Sequence, residues 1–266
     1  MAMVAETLEQ GVRANGAGEY SLNGRVAVIA GGSGGIGAAT ARRFAAGGAS
    51  VVIGYNGNAA KAQELVDSLP NPGAHMAVHL PMEDGAQIDA AARAVADRYG
   101  TAHILVNSAG VTKAVPHAQL DDLDDATFDR ILATNVRGPF ATIRSFAPLL
   151  RSGGDSVIIN VSSISAATGL GSSIAYCASK AALDTMGKSL ARVLGPEIRV
   201  ISVSPAAVAT DFVPGRGREG VERQAASTPL QRVCEPGDVA LAIISAVTHL
   251  RLTTGSVIEV DGGRHL

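Results

Sequence analysis

A tyrosine and a lysine four residues apart, Tyr176 and Lys180, form the pair in this sequence that is best suited to proton chemistry. Side chains at this spacing lie one turn apart on the same face of a helix. A nearby ammonium group favours the phenolate and lowers the pKa of the phenol, which makes it a usable proton donor or acceptor near neutral pH. The spacing also occurs by chance, so its meaning depends on the rest of the chain.

A glycine-rich segment follows the first predicted strand and opens the first predicted helix. Five of the seven residues from Gly31 to Gly37 are glycine. Glycine lets the backbone N–H groups of such a loop approach a pyrophosphate, which then lies at the positive end of the helix. The strand–loop–helix setting is the context that this motif requires, so the segment predicts dinucleotide binding.

The second predicted strand ends without the carboxylate that commonly binds the ribose 2′-hydroxyl of NAD(H). No Asp or Glu occurs between Gly24 and Gln63, and a carboxylate there would repel a 2′-phosphate. The sequence therefore favours NADP(H), with NAD(H) as the alternative. Side chains that could hydrogen-bond a phosphate here are Ser33, Tyr55, Asn56 and Asn58, whereas Arg42, Arg43 and Lys61 are near only in sequence.

Short apolar runs alternate with helical patterns along most of the chain. The predicted strands are 25–30, 50–53, 75–80, 104–106, 157–161, 200–203 and 257–260. The predicted helices are 38–46, 59–69, 87–99, 125–150, 176–194 and 236–248. Runs that are apolar throughout indicate strands covered on both faces, so the alternation predicts an α/β fold with a doubly wound parallel β-sheet in a three-layer α/β/α arrangement. Residues 1–20 are expected to form a flexible tail, and 21–266 a single dinucleotide-binding and catalytic domain.

The composition excludes several classes of function. With 47% hydrophobic and 17% charged residues among 266, the chain is globular. A net charge of −2 without a long basic run argues against a nucleic-acid partner. No apolar run approaches the ~20 residues that span a bilayer, so no membrane association is expected. Two cysteines without CxxC spacing favour a cytoplasmic location, and histidines without HxH or HExxH spacing predict no metal site.

Taken together, the glycine loop, the Tyr-x-x-x-Lys pair and the strand pattern resemble the short-chain dehydrogenase/reductase family. Within that family the chain is similar to single-domain members such as the 3-oxoacyl-acyl-carrier-protein reductases, and the resemblance covers about 22–263. It implies a Rossmann-like fold. Further motifs occur in the same order as in that family. They are Asn107-Ser108-Ala109-Gly110, Asn135 in Asn-Val-Arg-Gly, Ser163 thirteen residues before Tyr176, Pro205 to Thr210, and Val260-Asp261-Gly262-Gly263.

The resemblance implies reversible hydride transfer between nicotinamide C4 and a carbonyl or secondary alcohol. Tyr176 would act as the general acid or base, and Ser163 would orient the substrate oxygen. Lys180 would lower the pKa of Tyr176 and bind the nicotinamide ribose, while Asn135 would hold a proton-relay water. The cofactor-binding residues implied are Gly31, Ser33, Gly34, Gly35, Ile36, Gly37, Tyr55, Asn56, Met82, Asn107, Ala109, Gly110, Tyr176, Lys180, Pro205, Val208 and Thr210. A homotetramer is also implied, with helices 125–150 and 176–194 between subunits.

Two departures from the family pattern concern the cofactor. Gly34 stands where NADP-preferring relatives often carry Arg, which weakens the preference for NADP(H). Pro81 and Met82 stand where many members have an Asp-Val pair against adenine, so only the Met82 backbone is expected to remain as a contact.

The sequence leaves the substrate open. A ketone or 3-oxoacyl thioester reductase is favoured, with a sugar, polyol or cyclic alcohol dehydrogenase as the alternative and a non-catalytic dinucleotide-binding protein as a further one. Residues 211–232 are a candidate lid or a solvated loop. Three arginines in this segment, Arg216, Arg218 and Arg223, could meet an anionic substrate or carrier, and Lys113 and His117 could contact substrate or simply be solvated.

Overall fold

The computed structural model describes residues 21–71 and 73–266, and the predicted tail at 1–20 lies outside them. Seven strands form one sheet in the described residues: β1 Val26–Ala30, β2 Ser50–Tyr55, β3 Met76–His79, β4 Ile104–Asn107, β5 Ser156–Val161, β6 Ile198–Pro205 and β7 Val257–Val260. Every strand boundary lies within two residues of its predicted position.

Helices connect the strands and cover the sheet. They are α1 Gly35–Ala46, α2 Ala59–Ser68, α3 Gly85–Tyr99, α4 Asp125–Leu132, α5 Gly138–Gly153, α6 Ser165–Thr168, α7 Ile174–Leu194, α8 Gly217–Ala226 and α9 Pro236–Thr248. Side chains of Asn58, Asp84 and Ser173 accept backbone N–H bonds at the starts of α2, α3 and α7. Such N-caps satisfy donors that have no partner inside the helix, and they fix where each helix begins.

All neighbouring strands are parallel, in the order β3-β2-β1-β4-β5-β6-β7. The chain moves outward from β1 to β3 and then returns to place β4 on the other side of β1. This reversal leaves a crevice between the carboxyl ends of β1 and β4, where ligands of open α/β sheets bind. The predicted doubly wound α/β fold is confirmed.

Two apolar cores lie on opposite faces of the sheet. Along β1, Ala27 and Ile29 face the core that contains Phe44 of α1, whereas Val28 and Ala30 face the other core. Helices on both faces explain why the strands read as continuous apolar runs rather than alternating ones. Among the described residues, every helix is too short or too polar to cross a bilayer.

The structure corrects two expectations about helices. The predicted helix 125–150 is divided into α4 and α5 by a π-helical turn at Ala133–Arg137. The segment 211–232, expected to be irregular, contains α8, of which Gly220, Val221 and Ala225 are buried. The apolar pattern of the sequence shows no sign of the π-helical turn. Helix α8 is too polar for a helical period of apolar residues to be visible in the sequence.

Candidate active site

The glycine loop connects β1 to α1, and its glycines are required by close backbone contacts. Gly31 has φ +72°, and a Cβ atom there would lie 2.7 Å from the Ala109 backbone. A Cβ atom at Gly37 would overlap the carbonyl oxygen of Gly31, and one at Gly35 would overlap the Thr210 side chain. Side chains are therefore excluded at Gly31, Gly35 and Gly37, around the start of α1, where backbone N–H groups have no partner inside the helix.

A cavity of about 740 Å³ extends from this loop along the carboxyl ends of β1, β2 and β4. Nine of the predicted cofactor residues line it: Gly31, Gly34, Gly35, Ile36, Asn56, Met82, Ala109, Gly110 and Thr210. Its position coincides with the crevice that the strand order creates, so the predicted dinucleotide residues are brought together at the expected edge of the sheet.

Four other predicted cofactor residues, Ser33, Gly37, Tyr55 and Asn107, lie outside the lining of this cavity. The Tyr55 ring packs against His79 at the edge of the sheet, with ring centroids 5.6 Å apart. Gly37 is buried at the beginning of α1, where it permits the close approach to the Gly31 carbonyl.

Asn107 is buried, and its side chain connects three elements. Its amide nitrogen donates to Asn160 Oδ1 on β5 at 2.9 Å, and its carbonyl oxygen accepts from Thr142 Oγ1 on α5 at 2.8 Å. These bonds fix the end of β4, from which Ser108, Ala109 and Gly110 continue into the cavity wall. The effect of Asn107 on the cavity is therefore indirect.

The far end of the cavity differs from the sequence-based expectation in its charges. Lys61 lines it together with Asn56, although Lys61 comes six residues after the end of β2. Arg42 and Arg43 are not among the lining residues. Glu83 and Asp84 also line it, although no sequence motif pointed to them.

Both carboxylates are already engaged by protein groups. Glu83 accepts a 2.6 Å hydrogen bond from Thr134 and lies 3.6 Å from Arg130 Nε. Asp84 accepts two backbone N–H bonds as the N-cap of α3.

Tyr176 and Lys180 lie on the first turns of α7, as their spacing predicts. The Lys180 ammonium donates to the Val161 carbonyl at the end of β5 at 2.8 Å and lies 5.7 Å from the centroid of the Tyr176 ring. Both residues are buried. The Ser173 N-cap fixes the start of this helix and so determines where Tyr176 points.

Ser163 follows β5 and faces the tyrosine. Its hydroxyl is close enough to the Tyr176 phenol to lower the pKa of that group, and it donates a 3.1 Å hydrogen bond to Ser165 Oγ. Tyr176, Ser163 and Lys180 all line a second cavity of about 600 Å³. Pro205, Val208 and Thr210 line it as well, as the sequence analysis expected of the segment after β6.

The two cavities are adjoining parts of one cleft. Ile36, Ser108, Gly110, Thr210 and Phe212 line both of them. The glycine loop therefore lies in one part and the Tyr-Ser-Lys group in the other. A cleft with a backbone cradle at one end and proton-transfer groups at the other fits an extended dinucleotide with its reactive ring near Tyr176.

The pKa of Tyr176 departs from the expectation that Lys180 would lower it. Burial raises the pKa of the phenol to about 12, against the opposing effects of the Ser163 hydrogen bond and the Arg216 charge. Burial also lowers the pKa of Lys180 to about 8, and Asp184 partly offsets this. Burial is the largest effect on this pKa, and Lys180 is not among the groups that lower it.

Asn135 lies in the π-helical turn and does not line either cavity. Its carbonyl oxygen accepts from the Val111 N–H at 2.9 Å, and its amide nitrogen donates to the Val111 carbonyl at 3.0 Å and to Ser179 Oγ at 3.1 Å. Ser179 in turn donates to the Tyr176 carbonyl. Asn135 therefore joins the loop after β4 to the helix of the tyrosine. π-Helical turns are frequent at functional sites.

The segment 211–232 borders the second cavity. Phe212, Val213, Arg216 and Gln224 contribute to its wall, and the Phe212 ring lies 5.8 Å from that of Tyr176. Arg218 and Arg223 point elsewhere: the first pairs with Glu222 and Glu235, the second with Glu219.

Lys113 and His117, which follow β4, were both candidates for contact with the substrate. His117 lines the second cavity, whereas Lys113 pairs with Asp124 at 3.2 Å. Arg264, close to the end of the chain, also lines this cavity, and no sequence motif pointed to it.

Comparison with known proteins agrees with this geometry. The model of the family described as enoyl-(acyl carrier protein) reductase matches residues 30–265. The crystal structure of a short-chain dehydrogenase from Burkholderia cenocepacia in complex with NADP is similar at 34% identity and a TM-score of 0.84, over 92% of this chain and 99% of that one. The chain belongs to the short-chain dehydrogenase/reductase family.

Two further relatives of this short-chain dehydrogenase/reductase are named as ketoacyl reductases. A candidate ketoacyl reductase 2 of the granaticin polyketide synthase of Streptomyces violaceoruber is 33% identical over 91% of this chain and 96% of its own length. A 3-ketoacyl-(acyl-carrier-protein) reductase from Brucella melitensis, solved with NADH, is 33% identical with a TM-score of 0.84, over 92% and 100% of the two chains. The protein is an NAD(P)(H)-dependent oxidoreductase.

Proposed function

We propose that this short-chain dehydrogenase/reductase reduces a ketone or 3-oxoacyl thioester to a secondary alcohol, with NADP(H) favoured over NAD(H). The observation that carries the proposal is the convergence of Tyr176, Ser163 and Lys180 on one cavity, beside a cleft that ends in a glycine cradle. Similarity to two proteins named as ketoacyl reductases supports the substrate class.

Tyr176 is the proton donor in this proposal. Because burial raises its pKa to about 12, the phenol stays protonated across the neutral range. Hydride donation is the chemistry that a bound nicotinamide cofactor supplies. As the substrate oxygen gains negative charge, Tyr176 transfers its proton to it, and the Ser163 hydroxyl stabilises the same oxygen by a hydrogen bond. Preorganised donors at this oxygen favour the transition state over the ground state.

Lys180 and Asn135 support the tyrosine. The buried Lys180 ammonium places a positive charge behind the phenol and, with a pKa of about 8, can exchange a proton near neutral pH. Asn135 positions α7 through Ser179 and the loop after β4 through Val111. Its proposed role as holder of a relay water requires that its amide exchange one of these bonds.

The preference for NADP(H) is supported by the far end of the cleft. Lys61 and Asn56 line it, the nearby carboxylates of Glu83 and Asp84 are occupied by protein donors, and Lys61 has no ion-pair partner among the described residues. A free ammonium at this position attracts a 2′-phosphate.

Lys61→Gln should therefore raise the KM for NADPH by about tenfold while changing the KM for NADH less than twofold, a difference of about 1.4 kcal/mol. Parallel loss with both cofactors would contradict a contact to the 2′-phosphate.

The function is tested by the loss of absorbance at 340 nm with NADPH, and with NADH in parallel, on a short-chain 3-oxoacyl thioester. Rapid loss that is faster with NADPH is the expected result. Loss only with sugar, polyol or cyclic ketone substrates would assign the alternative branch of the family. No loss with any of these substrates would contradict the reductase proposal and favour a non-catalytic dinucleotide-binding protein.

We also propose a homotetramer in the cytoplasm. Helices α5 and α7 carry the exposed apolar side chains Phe140 and Val193, which suit burial against another subunit. The two cysteines, Cys177 and Cys234, are free, as in a reducing compartment. Light scattering should give four times the chain mass, and Phe140→Asp should reduce that mass if α5 lies between subunits.

A further inference from the structure

The charged side chains in the wall of the second cavity are all basic. Lys180, Arg216 and Arg264 contribute to it together with His117, and no Asp or Glu is among the described residues that form this wall. The other part of the cleft contains acids, so the asymmetry is specific to the end at which the substrate must meet Tyr176.

Arg216 lies immediately before α8, and its guanidinium is held at this wall. One terminal nitrogen donates to the Val208 carbonyl at 3.0 Å, while Nε is buried without a hydrogen-bond partner. Gly220 makes room for this side chain, because a Cβ atom there would lie 3.0 Å from Arg216 Cγ. The charge is close enough to Tyr176 to act on the phenol.

Arg216 has no neutralising partner in the described part of the chain. The next arginines of the same segment are both paired: Arg218 with Glu222 and Glu235, and Arg223 with Glu219. Arg216 is half-buried and forms no ion pair, so part of its hydration is lost without compensation by a carboxylate. A buried charge of this kind is stabilised by an anion that reaches it.

Two further groups face the same space from other elements. Arg264, after β7, donates to the Gln224 carbonyl at 3.2 Å, and the adjacent Asp261 is occupied by His265 rather than by Arg264. His117, after β4, has Nε2 buried without a hydrogen-bond partner. Donors from three separate parts of the chain therefore converge on one cavity that contains no protein acceptor of opposite charge.

We infer that the substrate of this enzyme carries an anionic group, a carboxylate or a phosphate, which binds Arg216 with support from Arg264 while the carbonyl lies at Tyr176. This inference rests on the proposed function and narrows its substrate class to anionic oxo compounds. The chemistry at the arginines is the same for the carboxylate of a free oxo acid and for the phosphate of a pantetheine-bearing thioester.

The test compares four substrates of one acyl group with the holoenzyme: acetoacetate, its neutral methyl ester, the neutral N-acetylcysteamine thioester and acetoacetyl-coenzyme A. The variants are Arg216→Gln and, as a matched control on α8, Arg223→Gln. Because Arg216 also acts on Tyr176, its loss affects every substrate. The informative quantity is therefore the ratio of kcat/KM for an anionic substrate to that for its neutral counterpart.

We expect Arg216→Gln to lower this ratio by about 10- to 100-fold for acetoacetate or for acetoacetyl-coenzyme A, as befits a lost charge-assisted hydrogen bond. A lower ratio for acetoacetate over its methyl ester indicates a carboxylate. A lower ratio for acetoacetyl-coenzyme A over the N-acetylcysteamine thioester indicates a phosphate. Arg223→Gln should leave the ratio unchanged. In the dead-end complex with oxidised cofactor, calorimetric titration with the responding anion should show the same loss of affinity without turnover.

Equal losses for anionic and neutral substrates would overturn the anion site and leave the reductase function standing. Absence of turnover on all four substrates by the wild-type enzyme would overturn both proposals.

Discussion

Replacement of Lys180 by methionine should stabilise the cofactor-free protein at pH 7 while removing its activity. The ammonium is 5% exposed and forms no ion pair among the described residues. Burial lowers its pKa from the ordinary value of 10.5 to about 8. A protein that keeps this lysine charged at neutral pH therefore does so at a cost to its own stability.

The magnitude follows from the change in pKa. Each tenfold change in acid dissociation corresponds to about 1.4 kcal/mol, so the difference between about 8 and 10.5 amounts to about 3 kcal/mol at pH 7. Methionine also loses the 2.8 Å bond to the Val161 carbonyl, which costs about 1 kcal/mol. The net gain of about 2 kcal/mol should raise the Tm by roughly 4–8 °C for a domain of this size.

The effect should depend on pH in a defined direction. Below pH 8 both the folded and the unfolded states carry the lysine proton, and the full cost is present. Between pH 8 and 10.5 the unfolded state binds more protons, so the stability of the wild-type protein rises relative to that of the variant. The gain of about 2 kcal/mol at pH 7 should fall to about zero near pH 9.5.

Urea unfolding followed by far-ultraviolet circular dichroism at pH 7.0 and 9.5 measures this difference. The matched control is Lys188→Met on the same helix, where the lysine is exposed and the change should stay within about 0.5 kcal/mol. If Lys180→Met is less stable than wild type at pH 7, or shows the same difference at both pH values, then the cost assigned to the buried ammonium is wrong.

Two further substitutions test the cofactor cradle and its support. Gly37→Ala should weaken NADPH binding at least tenfold in calorimetric titration, because the new methyl group overlaps the Gly31 carbonyl, whereas Gly34→Ala, with 3.4 Å to the same oxygen, should bind normally. Asn107→Ala should lower the free energy of unfolding by about 2–4 kcal/mol, because its buried partners on β5 and α5 lose their hydrogen bonds. Equal binding of NADPH by Gly37→Ala and Gly34→Ala, or wild-type stability of Asn107→Ala, would show that the surrounding backbone relaxes.

The positions of the strands along the chain and the glycine loop after β1 were predictable from the sequence because they depend on short-range signals. Continuous apolar runs indicate strands that are covered on both faces, and Gly31, Gly35 and Gly37 mark positions where the backbone approach leaves no room for a side chain. The four-residue spacing of Tyr176 and Lys180 likewise determines that both lie on one face of α7.

Features that depend on burial and on distant parts of the chain were not predictable. The raised pKa of Tyr176 results from desolvation, which a spacing argument does not contain. Arg264 enters the cavity wall only because β7 returns the chain to the edge of the sheet. Lys61 and Glu83 line the same cavity because β2 pairs with β3, although the two residues are 22 apart in sequence.

The most direct test of the central claim is single-turnover oxidation of NADPH by Tyr176→Phe, beside a calorimetric titration of NADPH binding. Phenylalanine removes only the hydroxyl that is proposed as the proton donor. We predict that the rate falls by about 10²- to 10⁴-fold, the usual contribution of a general acid, while the affinity for NADPH changes less than threefold. A variant that binds NADPH normally and retains more than a tenth of the wild-type rate would contradict the assignment of Tyr176.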